Sequence, residues 1–403
     1  MRIVVLGGAG IVGRVIALDL ARDDFELRIA DRDLAGAQRT AQQLGARADV
    51  VGVDVTDAAG LAEALSGAAV CINSTHYYFN LEVMQACLKA GVHYLDLGGL
   101  FHMTRKQLEL DKAFQEAGLT AVLGLGSCPG VANVQAGWLG GMLDRVRSVK
   151  IYNGATLDAG ESLAWPYAIE TILDEISQPA MVFRGGQFIE APPLAEEEHF
   201  LFPPPIGWAK THLSLHSEVA TIPLSLAMKG IDECFFKITF FGYSEAALRK
   251  MQFVAQLGLA STEPVDVEGV RVRPRDLLLA LLRRSPQAKE KPQSQGYKDV
   301  ATVATGSQGG STVVLRADTH GGPYPEWGVS GGTLLVAVAP AIVARWLASG
   351  RLGRPGVWAP EQAIEPEPFF AELARRGFTT TLTRTETVAE AVASGQWSVV
   401  SGR

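Results

Sequence analysis

The chain opens on Arg2-Ile3-Val4-Val5-Leu6-Gly7-Gly8-Ala9-Gly10-Ile11-Val12-Gly13. A short apolar run rich in β-branched residues enters a glycine cluster, and a segment of helical period follows. Gly8, Gly10 and Gly13 satisfy G-x-G-x-x-G, while Gly7, Gly10 and Gly13 satisfy the longer G-x-x-G-x-x-G spacing. The early glycines permit a tight turn and close approach of a diphosphate to backbone N–H groups, and Gly13 lets a helix pack on the strand. The N-terminus of that helix, at Ile11 and Val12, presents unpaired N–H groups and partial positive charge.

Outward from this start the first 130 residues keep a regular beat. Apolar runs at Arg2–Leu6, Glu26–Ala30, Val50–Val55, Ala69–Asn73, Val92–Leu97 and Thr120–Leu123 alternate with segments of helical period. This predicts parallel strands joined by crossover helices, covered on both faces. The expected fold is α/β: an N-terminal Rossmann doubly wound parallel sheet, then a second α/β domain with a mixed sheet. After Val131 the beat breaks. Half-buried antiparallel strands are expected around Val149–Tyr152 and Phe235–Phe240, and helices at Glu170–Ile176, Glu245–Gly258 and Pro274–Arg284. The expected division is 1–130 for dinucleotide binding, 131–331 for substrate binding and dimerisation, and 332–403 for a segment returning to the first domain.

The carboxyl ends of the parallel strands supply the cofactor candidates. Asp31 lies 18 residues after Gly13, near the spacing of about 20 at which a carboxylate accepts the ribose hydroxyls. It favours NAD over NADP, whose 2′-phosphate it would repel; the neighbouring Arg32 keeps NADP open. Asp54 and Val55 end the third strand, where an acid can reach adenine. Asn73-Ser74-Thr75 follows the fourth, near the position of a nicotinamide ribose.

Composition narrows the class. The 403 residues carry 36 basic and 43 acidic side chains, a net charge of −7, which argues against a nucleic-acid partner. Four scattered cysteines without a C-x-x-C pair fit a reduced cytoplasmic protein better than a disulfide or zinc framework, and no metal site is expected. The longest apolar stretch, Gly331 to Ala344, reads as a buried strand-and-helix segment, not a membrane span. Glycine is abundant, 43 residues or about 11%, without a collagen period.

Chemistry-bearing residues cluster at later loops. In His93-Tyr94-Leu95-Asp96-Leu97-Gly98-Gly99, Asp96 ends a strand and is expected to face substrate with Gly98. In Gly126-Ser127-Cys128-Pro129-Gly130-Val131-Ala132-Asn133 a turn leads into a helix whose first N–H groups could hold a carboxylate. Cys128, Pro129, Gly130 and Asn133 are therefore candidate substrate contacts, with Tyr77, Trp165 and His216. His76 and His216 suit a proton acceptor by intrinsic pKa.

Together with Glu170-Thr171-Ile172-Leu173-Asp174-Glu175, His216-Ser217-Glu218-Val219-Ala220-Thr221 and Pro355-Gly356-Val357-Trp358-Ala359-Pro360-Glu361, these motifs resemble the saccharopine dehydrogenase family, in its branch of lysine 6-dehydrogenase-like proteins. The resemblance implies a homodimer and NAD(P)-dependent oxidation of a C–N bond in an amino acid or amine. Lysine or a lysine-derived amine is the first expectation, with Asp96 matching the family's acidic substrate residue. Cys128 and His76-Tyr77-Tyr78 depart from the family pattern. The alternatives are reductive condensation of an aldehyde or keto acid with an amine, of the saccharopine or carboxynorspermidine type, and a non-catalytic dinucleotide-binding or redox-sensing protein.

Overall fold

The computed structural model describes residues 1–45, 48–156, 168–240, 245–285 and 295–387. Its first six strands are β1 (Arg2–Leu6), β2 (Glu26–Asp31), β3 (Ala48–Gly52), β4 (Val70–Asn73), β5 (His93–Asp96) and β6 (Thr120–Val122). Ile3, Val4, Val5 and Leu6 are all fully buried, as a central strand with both faces covered requires. Burying each such side chain contributes about 1.5–3 kcal/mol.

Strands β7 (Arg145–Ala155), β8 (Ala180–Arg184), β9 (Gln187–Ala191), β10 (Glu198–Leu201), β11 (Trp208–Leu213) and β12 (Glu233–Ile238) follow. A short hairpin, β13 (Val265–Val267) and β14 (Val270–Val272), stands apart. The last strands are β15 (Lys298–Gln308), β16 (Ser311–Gly321), β17 (Gly356–Trp358) and β18 (Thr379–Glu386).

The first sheet is parallel and runs β17-β6-β5-β4-β1-β2-β3. Order reverses between β1 and β4, where Leu6 lies beside Asn73. Crossovers leave to opposite sides there, and the crevice beyond the strand ends is where such sheets bind ligands. The second sheet is mixed: β12 and β7 pair in parallel, and β7 pairs antiparallel with β15. Alternation alone had read both β7 and β12 as antiparallel strands; the pairing depends on chain path, which alternation does not carry.

The longest ladder is the β15–β16 hairpin. Its two-residue turn, Gly309-Gly310, has φ of +58° and +89°. Two left-handed residues match the right-handed twist of the flanking strands, and only glycine adopts that pair without steric cost. Sequence reading passed over this hairpin although the turn signal was present.

The stretch from Gly331 is one 18-residue helix, Gly331–Ala348, with Pro340 inside it, and has no strand portion. Among the described residues it is the helix with the length and hydropathy of a membrane span. It is packed inside the fold, however, against helix Ile11–Leu20. Arg345 at its last turn binds the fully buried Asp19 of that helix at 2.5 Å, and Arg376 holds the same carboxylate at 2.8 and 3.0 Å. Two guanidiniums thus compensate one desolvated charge. Beyond Ser330 the chain serves both sheets: β17 pairs with β6 in the first, and β18 pairs with β16 in the second.

Candidate functional site

Gly10 ends the glycine turn without a side-chain cap, so the first N–H groups of helix Ile11–Leu20 have no acceptor of their own. Gly7 turns the chain at φ +77°. A Cβ on Gly13 would stand 2.2 Å from the Gly7 oxygen and 2.8 Å from Ser74 Oγ. Helix and turn therefore approach closer than any side chain allows. Ser74 in turn donates to the Leu6 carbonyl, tying the β4 loop to the end of β1. This cradle fits a dinucleotide diphosphate.

Asp31 ends β2 and accepts from Ala9 N–H (3.0 Å) and Asp33 N–H (2.9 Å). It sits beside the glycine turn, with Arg32 exposed next to it. Asp33 caps the following helix through Gly36 N–H. Asp54 is held in a local turn by Thr56 N–H and the Thr56 hydroxyl, which keep its carboxyl below the usual range; Val55 is its neighbour. Asn73 is buried and spans the β4 loop. Its oxygen accepts from Thr75 N–H (3.2 Å) and Oγ1 (2.6 Å), and its nitrogen donates to Asn80 (3.0 Å). Asn73 thus shapes the loop that presents Ser74 and Thr75.

A cavity of about 340 Å³ lies between the carboxyl edge of the first sheet and the inner face of the second, within the range of small-molecule sites. Ile11, Val12, Ser74, Thr75, Gly98, Cys128 and Pro129 line it from the first side. Asn153, Thr171, Glu175, His216, Ser217 and Lys298 line it from the other. The two sides are stitched together. Gly99 N–H donates to Ser217 Oγ (3.2 Å), and the Tyr77 and Tyr78 hydroxyls both donate to Asp174 Oδ2 (2.7 Å each). Asp174 is itself paired with Arg275 at 2.7 Å. Burial, then the Asp174 charge, holds the Tyr77 phenol far above its ordinary range.

The electrostatics of the cavity are dominated by buried groups. His216 Nδ1 meets the fully buried Glu218, and the ring stacks on Phe236 with centroids 3.8 Å apart. Burial opposes charge on the imidazole, but Glu218 more than offsets it and raises the pKa. His76 behaves oppositely: burial pulls its pKa down. Its Nδ1 accepts from Tyr78 N–H (3.3 Å), and its Nε2 lies 3.4 Å from Thr171 Oγ1. Burial pushes the Lys298 ammonium down to about 8, against the favourable charges of Cys128, Asp299 and Glu175. The Cys128 thiol is pushed up by burial and by Glu218, so it is a poor nucleophile.

Three expected substrate contacts, Asp96, Gly130 and Asn133, are not among the residues that line the cavity. Asp96 is fully buried and is not part of the cavity wall. Its Oδ1 accepts from Gly98 N–H (2.9 Å) and Gly124 N–H (2.7 Å), and its Oδ2 from Gln107 (2.6 Å) and Asn80 (3.3 Å). Burial raises its pKa, while those donors favour the charged form. It anchors the loops of Gly98 and Gly124.

Asn133 caps Gly130 N–H (3.0 Å) and donates to Glu361 (2.8 Å), also away from the cavity. The helix after Gly130 offers no open N–H pair for a carboxylate. Val131 and Ala132 N–H donate to the carbonyls of Gly126 (2.9 Å) and Ser127 (3.2 Å). Trp165 lies outside the described residues.

Sequence reading assigned no role to Asn153, Glu175 or Lys298. Asn153 follows Val149 and Ile151 in phase along β7, and Lys298 precedes Val300 and Ala304 in phase along β15; all four apolar partners are fully buried. A polar residue at an apolar phase was the available signal.

A doubly wound parallel sheet with an uncapped glycine cradle, closed over a cavity by a mixed sheet, defines a dinucleotide-dependent oxidoreductase. The description "saccharopine dehydrogenase NADP binding domain" matches residues 3–122, and "saccharopine dehydrogenase C-terminal domain" matches residues 126–378. The chain belongs to the saccharopine dehydrogenase family, whose members are NAD(P)-dependent dehydrogenases acting at C–N bonds. It is 26% identical to a carboxyaminopropylagmatine dehydrogenase from Synechocystis sp., covering 93% of this chain and 96% of that one. It is 24% identical to a carboxynorspermidine synthase from Vibrio cholerae, over 92% and 94%.

In fold it is similar to apo saccharopine dehydrogenase (L-Glu forming) from Saccharomyces cerevisiae: TM-score 0.72, 17% identity, 95% of this chain and 99% of that chain. A homospermidine synthase from Legionella pneumophila in complex with NAD gives TM-score 0.66 at 12% identity, over 95% and 91%. The cofactor is a nicotinamide dinucleotide.

Proposed function

We propose that this protein makes a secondary amine by reductive condensation of a carbonyl compound with an aliphatic amine. The amine and the carbonyl carbon lose water to form an imine, and hydride plus a proton reduces it. This reading replaces deamination of lysine as the first choice, because the two relatives matched over nearly their whole length are named for carboxyalkylated amines. The observation that carries it is Lys298, an ammonium buried in the cavity wall with its pKa brought down to about 8. An imine nitrogen needs a proton as it is reduced, and a donor tuned near working pH supplies it efficiently.

In this reading Gly7, Gly8, Gly10, Ile11, Val12 and Gly13 hold the diphosphate, Asp31 the adenosine ribose, and Ser74 and Thr75 the nicotinamide ribose. The bound dinucleotide supplies the hydride. His216, kept charged by Glu218, donates a hydrogen bond from its Nε2 to the carboxylate of the carbonyl substrate. His76, kept neutral by burial and with Nδ1 accepting from Tyr78 N–H, donates from its Nε2 to the nitrogen of the incoming neutral amine. Gly98, Cys128 and Pro129 close the cavity over the reacting carbon.

The test is oxidation of NADPH or NADH by the purified protein with amines and with aldehydes or keto acids, singly and in pairs. Turnover only with pairs, giving a product whose mass equals both reactants minus water plus two hydrogens, is expected. Turnover with one amine alone and oxidised cofactor would return the reaction to simple deamination.

A further inference from the structure

Asn153 carries an anomaly. It lies inside the second sheet, on β7, between Val300 of β15 and Ile238 of β12. It is only 4% exposed, and its side-chain oxygen has no hydrogen-bond partner. Leaving such an acceptor buried and unpaired costs about as much as a lost hydrogen bond, and an apolar side chain at that phase would avoid the cost. Most buried polar atoms elsewhere in the cavity wall do have partners, as the Ser217, Tyr77 and His216 contacts show. What distinguishes Asn153 is that it lines the cavity. A ligand entering there meets an acceptor with both lone pairs available.

The same wall holds Glu175, on helix Ile169–Ser177, buried and lining the cavity. Its carboxylate already acts on His216 and Lys298 through space. A neutral oxygen acceptor and a carboxylate in one desolvated wall suit a group that brings both N–H donors and positive charge. A carboxylate would find no donor in the Asn153 oxygen; that of the carbonyl substrate is left to the charged His216.

We propose that Asn153 is a specificity-determining residue: its side-chain oxygen receives the far cationic end of the amine cosubstrate, an alkylammonium or guanidinium, with Glu175 balancing the charge. This deepens the condensation reading and rests on it. The ligand class is a linear aliphatic amine with a second cationic group, as opposed to a monoamine or an amino acid. The near amine reacts; the far cation measures chain length against Asn153.

The experiment compares wild type with Asn153→Leu and Asn153→Asp. The amine probes are a diaminoalkane, agmatine and a monoamine of the same carbon count, with carbonyl substrate and reduced cofactor saturating. Asn153→Leu is expected to raise KM for the two dications roughly ten- to a hundredfold, with little change in kcat or in monoamine KM. Asn153→Asp, close in volume, is expected to lower dication KM. The diaminoalkane-to-agmatine ratio tells ammonium from guanidinium.

Equal KM changes for monoamine and dications would overturn the proposal. So would a rise in dication KM with Asn153→Asp, which would show that the side chain does not accept from the far cation. Calorimetric titration of the diaminoalkane into the protein with oxidised cofactor separates the two levels. Asn153-dependent binding without turnover keeps the subsite and removes the condensation reading. Turnover with dication KM insensitive to Asn153 does the reverse.

Discussion

Replacing Lys298 by methionine removes one buried ammonium and keeps the side-chain volume. Free lysine with a pKa of 10.5 is about 0.03% neutral at pH 7, whereas at about 8 the neutral fraction is about 9%, roughly 300-fold more. The same shift means that keeping the ammonium charged at pH 7 costs the fold on the order of 3 kcal/mol. Its sign is fixed by proton counting. Between about 8 and 10.5 the unfolded chain holds a proton that the folded chain has lost, so this group makes stability rise with pH across that window.

In amine formation the lysine gives its proton to the imine, so kcat should fall as pH rises through about 8, and the reverse oxidation should rise there. Lys298→Met should lose that limb and about a hundredfold to ten-thousandfold in kcat. Cofactor affinity should be unchanged, and Tm at pH 7 equal or higher. Steady-state kinetics across pH in both directions, with a melting curve at each pH, make the measurement. A limb near pH 8 that persists in Lys298→Met, or a variant as active as wild type, would refute the assignment.

Four other outcomes are expected. Asp31→Ala should weaken NAD binding about tenfold and narrow the gap to NADP, read by nucleotide titration; parallel losses for both would leave the ribose contact without support. Asp96→Ala strands the Gly98 and Gly124 N–H groups, so it should cost about 3 kcal/mol or more in denaturant unfolding and lower cofactor binding and turnover together. A selective loss of turnover in a fully stable Asp96→Ala protein would restore a direct role. Glu218→Gln removes the charge that holds His216 up, so the imidazole pKa followed by NMR should drop below that of wild type. Burial, with Asp318 next, raises Asp299 to about 8, so the folded chain keeps a proton there that the unfolded chain loses above about 4. Stability from this group therefore falls with rising pH between those values, and Asp299→Asn should raise Tm more at pH 8 than at pH 5.

The fold was legible where local rules and burial agree. A glycine turn between an apolar strand and a helix has one common use, and the period of the next 120 residues dictated parallel strands. The second sheet was harder, because β7 pairs in parallel with β12 across some 80 intervening residues. Ser74, Thr75 and Gly98, from strand-end loops of the first sheet, line the cavity, but local pattern does not say which side chains face inward. Asp96 and Asn133 have the right chemistry at the right ends, yet nearby backbone N–H groups claim them first. A desolvated carboxylate takes the nearest donors, and donors contributed by Gly124, 28 residues away, are invisible to local pattern.

By itself the sequence determined the glycine turn between strand and helix, which depends on short-range geometry, while the class of chemistry was carried by the resemblance of its motifs to a family. Tertiary structure alone decided the composition of the cavity. Lys298, Glu175 and Asn153 come from three elements distant in sequence, and each owes its chemical character to lost water. Burial brings the Lys298 pKa down to about 8 and leaves the Asn153 side-chain oxygen without a hydrogen-bond partner. Composition counted 43 glycines; only the fold shows which of them, such as Gly13 against Gly7, let helix and turn close on each other.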